Sequence, residues 1–224
     1  MTLLREAAAV AGKDLRIEVR GRHALAAVLP FSATLLIVFG LSLGPGRTLL
    51  QQTAPGLLWL AVLFGSVLSF RSAYQAEGED GALEGLTLSP VDRAAVFLGK
   101  AAAVAVQLWA LEVVVVLLVS GLFGLSLGRD PAALAGALLL GTVGLSAVGS
   151  LFGVLEESPR AREAVVPLLV LPLAVPVLLG GVKATALAAA GRGGEALSWL
   201  GLLVAFDAVF LAAGTLVFGY LLED

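Results

Sequence analysis

The chain has 224 residues, of which 59% are hydrophobic and 14% charged, with a formal net charge of -3. Its mean hydropathy of +1.00 is too high for a soluble domain of this size, so lipid must be the solvent for most of it. The 14 basic residues fall in short clusters between apolar runs, which gives nucleic-acid binding no support, and the absence of cysteine excludes disulfides, thiolate metal sites and cysteine nucleophiles.

In chain order, the first segment is charged but periodic. Leu4, Ala7, Ala11, Leu15 and Val19 recur at helical spacing, with Arg5, Glu6, Lys13, Asp14, Arg16, Glu18 and Arg20 filling much of the rest. This pattern predicts an amphipathic helix over 1–22 that lies on the membrane surface, although charge alternation also suits a solvated helix. At about 20 residues the segment is too long and too acidic for a signal-peptide n-region, so the first span is expected to be retained.

Six apolar runs follow, at 24–43, 56–70, 94–123, 132–155, 164–182 and 197–222. Gly44-Pro45-Gly46 closes the first, and Pro55 opens the second, with Trp59 expected at headgroup level near its outer end. Gly128-Arg129-Asp130-Pro131 closes the third. Each run is long enough to span a bilayer or nearly so, which predicts an all-α integral membrane protein of six transmembrane helices, a single domain over 1–224.

Orientation follows from the basic residues, because Lys and Arg in short loops stay on the cytoplasmic side. With the N-terminus inside, Arg5, Lys13, Arg16, Arg20, Arg22, Arg71, Arg93, Lys100, Arg160 and Arg162 are cytoplasmic, against Arg47, Arg129, Lys183 and Arg192 outside. An even number of spans then returns the C-terminus to the cytoplasm.

The connection between the second and third spans, 71–93, carries Glu79-Asp80-Gly81-Ala82-Leu83-Glu84-Gly85-Leu86-Thr87-Leu88-Ser89-Pro90. Asp80 can cap a short helix, Glu79 and Glu84 suit its positive end, and Pro90 disfavours helical backbone at Ser89. Leu83 and Leu86 would share one narrow apolar face suited to a groove on a soluble partner, with Arg93 near the rim; an ordinary polar loop is the alternative.

This run, followed by Lys100, resembles the coupling-helix motif of ABC-2-type permeases. Two further stretches, Pro55-Gly56-Leu57-Leu58-Trp59 and Leu169-Val170-Leu171-Pro172-Leu173-Ala174-Val175-Pro176-Val177, are similar to the heme exporter protein B (CcmB) family of the cytochrome c maturation system. The resemblance covers nearly the whole chain and departs from the usual pattern at Ala82, Gly85 and Thr87, where glycine inside a short helix costs about 1 kcal/mol relative to alanine.

The resemblance implies a non-enzymatic permease subunit of the bacterial inner membrane whose coupling helix includes Glu79, Asp80, Gly81, Leu83, Glu84, Leu86, Ser89, Pro90 and Arg93. ATP would be bound by a separate CcmA-like ATPase, and no nucleotide-binding glycine-lysine loop occurs in this chain. Further implied partners are a second copy of the chain, a CcmC-like heme-handling subunit, a small CcmD-like subunit, a CcmE-like heme chaperone and membrane lipid. An ABC-2-type exporter of a lipid, glycan or drug is the first alternative, and an ATP-independent scaffold or channel the second.

Several polar residues fall inside the spans. Gln107 and Glu112 interrupt the third and Asp207 the sixth, where an ionised side chain costs about 2.5 to 3.5 kcal/mol. Glu112 and Asp207 fit either a polar cavity or a proton- or cargo-sensing pair, or else groups protonated or hydrogen-bonded to neighbouring helices. Pro167, Pro172 and Pro176 predict a kinked fifth span. Thr142, Ser146, Gly149 and Gly153 form a small-residue face for close helix packing within the chain or at a dimer seam. Heme has few potential ligands, namely Met1, His23, Tyr74 and Tyr220, so it enters as possible cargo of the complex rather than a cofactor of this chain, and no metal site is expected.

Overall fold

A computed structural model of the chain describes residues 2–21, 23–79, 92–153 and 165–221. Among these residues it is entirely helical: α1 Leu3–Gly21, α2 His23–Leu43, α3 Arg47–Glu79, α4 Arg93–Phe123, α5 Pro131–Gly153, α6 Val165–Ala189 and α7 Gly193–Leu221. Five segments are long and apolar enough to cross a bilayer, namely 47–67, 93–123, 131–152, 170–189 and 193–218; Val28–Leu43 is a shorter apolar stretch within α2.

The turns end helices by identifiable chemistry. α2 stops before Gly44, whose φ of 73° is the left-handed conformation that glycine adopts without penalty. α4 ends the same way at Gly124, whose backbone N–H donates to the Ser120 carbonyl. Asp92 caps α4 through the Ala94 N–H at 2.9 Å, and Asp130 caps α5 through the Ala133 N–H at 3.0 Å. Pro131 therefore opens α5 at its first helical position, where a missing donor costs nothing.

Three expected boundaries are corrected. The second span is not entered at Pro55, because α3 begins at Arg47 and carries Pro55 inside it. Polar Thr48, Gln51 and Gln52 hid this first stretch from an apolarity reading, but Ala54 is fully buried. α3 also continues past Arg71 to Glu79, so its 33 residues are about 50 Å long, more than the roughly 30 Å hydrocarbon core requires. In α6, Pro167 does not interrupt a span: it is the third residue of the helix, in the turn whose N–H groups have no helical partner anyway. The same helix runs on through Pro172 and Pro176, past position 182 to Ala189, and takes in Lys183.

α4 packs against α1, α2, α3, α5 and α7, and α5 against α3, α4, α6 and α7, so these two helices form the centre of the bundle. Close approach is achieved by setting large side chains onto glycines. Trp59 of α3 lies in a cradle made by Gly141 of α5 and Gly181 of α6, where a β-carbon on either glycine would overlap the indole. Phe70 of α3 covers Gly149, Phe97 of α4 covers Gly214 of α7, and Leu111 of α4 covers Gly65 of α3. The Trp59 Nε1–H donates to Thr185 Oγ1 at 3.0 Å, which satisfies the one polar atom of a fully buried ring. Trp59 is therefore not a headgroup residue. The apolar bulk of the ring finds better contact inside the bundle than at the interface.

Two outcomes test this packing. Gly141→Leu should overpack the Trp59 cradle and lower stability by about 1 to 3 kcal/mol, read as a lower melting temperature of the detergent-solubilised chain. Trp59→Phe, which keeps a ring but loses the bond to Thr185, should cost about 1 kcal/mol by the same measurement.

Candidate functional site

Polar chemistry is gathered at the two ends of the bundle and at its centre. At the first end, α3 finishes at Glu79 and α4 starts at Arg93. Glu79, expected in the short coupling helix, is the last residue of α3. Asp80, Gly81, Leu83, Glu84, Leu86, Ser89 and Pro90 lie outside the described residues.

α1 packs on the start of α4 at this end. Gly99 lets the two helices meet closely: a β-carbon there would come within 2.7 Å of the Ala7 carbonyl oxygen and of Val10 Cβ. The Asp92 N–H donates to Glu6 Oε2 at 3.2 Å, and Lys100 Nζ lies 3.7 Å from Asp14 Oδ2. Lys100 is only 2% exposed. Asp14, expected among the charges of an outer polar face, is thus turned into the bundle. The predicted apolar stripe is divided as well, with Ala7 on α4 while Leu4 and Val19 remain 76% and 73% exposed. Two apolar faces at an angle replace one, because the contact with α4 selects Ala7 and Val10.

At the centre, Glu112 of α4 and Thr142 of α5 are brought together, the Thr142 hydroxyl donating to Glu112 Oε1 at 2.5 Å. Asp207 of α7 is 6% exposed and faces Gly144 of α5, where a β-carbon would come within 2.7 Å of Oδ1. Neither Asp207 oxygen has a hydrogen-bond partner among the described residues, nor does Gln107 Oε1. Positions 142 and 144 are about 200° apart around a helix, so Glu112 and Asp207 occupy different seams and do not form a pair.

At Thr142 and Gly149 the small-residue face of α5 meets other helices of the chain. Thr142 meets α4 through Glu112, the Ser146 hydroxyl donates to the Val143 carbonyl at 2.9 Å, and Gly149 receives Phe70 of α3. Gly153 ends the helix.

At the opposite end, a cavity of about 430 Å³ opens between the start of α3, the α4–α5 turn and the end of α6. Thr48, Gln51, Gln52, Ser126 and Arg129 supply its polar lining. Gln51 Nε2 donates across it to the Gly124 carbonyl at 3.4 Å. No group of three or more His, Cys, Asp or Glu side chains able to hold a metal ion occurs among the described residues.

Sequence reasoning missed the Trp59 cradle, the Asp14–Lys100 pair and the Glu112–Thr142 bond. A lysine inside an apolar run and glycines spaced along apolar helices were the available signals, but neither names its partner, since the partners lie 86, 30 and 126 positions away in the cases of Asp14, Glu112 and Trp59.

These features define a polytopic helical membrane protein in which two buried hydrogen bonds, Thr142 to Glu112 and Trp59 to Thr185, join neighbouring helices. Comparison with known proteins narrows the class. The family model described as CcmB protein matches residues 5–223. Heme exporter protein B of Pseudomonas aeruginosa is 36% identical over 172 residues, 75% of each chain. Its namesake from Bradyrhizobium diazoefficiens is 33% identical over 179 residues, covering 77% of this chain and 78% of the relative. The Paracoccus denitrificans protein of the same name is 31% identical over 182 residues, covering 80% and 82%. The chain belongs to the CcmB family.

The central hydrogen bond carries a direct test. Thr142→Val keeps the shape but leaves a buried carboxyl oxygen without its donor, which should cost about 1 to 3 kcal/mol, while Thr142→Ser should stay near wild type in a thermal melt.

Proposed function

We propose that the chain is the membrane-spanning permease subunit of an ABC transporter that handles heme for cytochrome c maturation, converting ATP hydrolysis by a separate subunit into release or delivery of heme through its chaperone. Family membership across residues 5–223 carries this reading, and the relatives bear the name heme exporter protein B. In it the chain is one permease domain over 1–224 with six spans. The five long apolar helices support this count, with the shorter Val28–Leu43 stretch taken as the remaining span. The distribution of basic residues supports a bacterial inner-membrane protein with both termini on the cytoplasmic side.

The 80–91 connection then docks on the ATPase, with Leu83 and Leu86 as its apolar face, and the helices flanking it receive the motion. ATPases of this class act in pairs, so two copies of the chain form the membrane core, alongside CcmC-like, CcmD-like and CcmE-like partners. Heme passes as cargo of the complex. Glu112 favours this mechanical role over a pore, because its carboxyl is engaged by Thr142 at a helix contact. An exporter of lipid, glycan or drug would use the same docking, and the names of the relatives favour heme.

The test is the double variant Leu83→Asp, Leu86→Asp in the co-expressed complex. Membrane-bound ATPase should fall at least about tenfold, since two charges replace an apolar anchor. Wild-type association and turnover would make the coupling assignment wrong and bring the scaffold or channel reading forward.

A further inference from the structure

The cavity between the start of α3, the α4–α5 turn and the end of α6 has no part in the transporter reading. Its volume of about 430 Å³ lies within the roughly 300 to 1,000 Å³ of small-molecule sites. Its walls divide by chemistry. Pro55, Leu125 and Ala189 make an apolar side, and the remaining wall carries donors.

The hydrogen-bonding inventory selects the sign of the ligand. Three lining carbonyls are already engaged: Gly124 accepts from Gln51 Nε2, Leu125 from the Ser120 hydroxyl at 2.9 Å, and Ala186 from the Ala190 N–H at 3.1 Å. The side chains of Thr48, Gln52, Ser126 and Arg129, by contrast, have no hydrogen bond or ion pair among the described residues. No lining residue is acidic, and the carboxylates of the two adjacent turns are turned to other tasks, Asp130 capping α5 and Glu195 holding Arg192. The aliphatic stem of Arg129 lies beside Gly191 of the α6–α7 turn. A guanidinium accompanied by neutral donors receives an oxyanion, and phosphate above all, because its planar fork matches two oxygens at once.

Depth narrows the ligand further. Three of the long apolar segments meet at this cavity, one starting at Arg47 and two ending at Phe123 and Ala189. The ends of bilayer spans are where lipid phosphates lie, just outside a hydrocarbon core of about 30 Å. None of the lining residues is His, Met, Cys or Tyr, so nothing in the wall would hold heme by its iron.

We propose that this cavity binds the head group of an anionic phospholipid, its phosphodiester on Arg129, Thr48, Gln52 and Ser126 and its glycerol and first methylenes against Pro55, Leu125 and Ala189. A lone phosphate would leave the apolar side unfilled. The ammonium of a zwitterionic head group would find no carboxylate in the wall. Bound lipid ties together the ends of α3, α4 and α6, which the Gln51–Gly124 bond joins at one point only on the α3–α4 side. The inference stands on the membrane-spanning fold and does not need the coupling assignment.

The experiment uses the full chain in a neutral detergent, melted with added phosphatidylglycerol, phosphatidylcholine or inorganic phosphate at matched ionic strength. Phosphatidylglycerol should raise the wild-type melting temperature by at least about 3 °C and phosphatidylcholine by less than about 1 °C, with no change from inorganic phosphate. Arg129→Gln should weaken the affinity for phosphatidylglycerol at least about tenfold, and Arg129→Lys, which keeps the charge without the fork, about threefold. Arg192→Gln removes a cation that does not line the cavity and should keep wild-type affinity.

No shift with phosphatidylglycerol, or equal shifts with the two lipids, would overturn the proposal. So would a wild-type response in Arg129→Gln, or an equal loss in Arg192→Gln. A shift with inorganic phosphate as large as that with lipid would overturn the lipid as the ligand. If Arg129→Gln fails to accumulate, Ala189→Leu decides by the same criterion, since filling the apolar side should weaken phosphatidylglycerol at least about threefold.

Discussion

The insertion of Trp59 between Gly141 and Gly181 is the contact on which the arrangement of the bundle depends. Lipid tails are as apolar as leucine, so no hydrophobic force draws transmembrane helices together, and close packing with hydrogen bonding must hold them. A single indole achieves both: it joins α3 to α5 and α6 through shape, and to Thr185 through its N–H. The other large-on-glycine contacts repeat the first half of this solution. Phe70 on Gly149 extends the α3–α5 seam, Phe97 on Gly214 ties α4 to α7, and Leu111 on Gly65 joins α4 to α3. Phe97 also meets Phe218 at a ring separation of 5.5 Å, which adds an aromatic pair to the α4–α7 seam.

Within that frame, the buried polar groups divide by location. Glu112 is engaged by a neighbouring helix and Asp207 lies in another seam, against the backbone of Gly144. They do not form a continuous row of polar groups along one seam. At the Glu112–Thr142 contact a hydrogen bond fixes helix register more selectively than apolar faces do. The cavity near Arg129 sits at the end of the bundle remote from α1.

The α1 end has a different character. There a short helix with two apolar faces is seated on α4, and its remaining face is charged with Arg5, Lys13 and Arg16. The exposed Leu4 and Val19 leave an apolar strip outside the bundle, while Ala7 and Val10 belong to the protein core.

Much of this was legible from the sequence alone. Composition determined the membrane class, the Gly44-Pro45-Gly46 break marked the end of α2, and the Arg93–Phe123 helix fell within a residue of its expected bounds. Those features are local: apolarity, proline and glycine act on the residues beside them. The start of α3 was hidden because Thr48, Gln51 and Gln52 are polar, although backbone hydrogen bonding does not require apolar side chains. The roles of Trp59, Asp14, Lys100 and Glu112 were decided only by tertiary structure. Each depends on a partner distant in the chain, and a periodic pattern states which face a residue occupies without stating what packs against it.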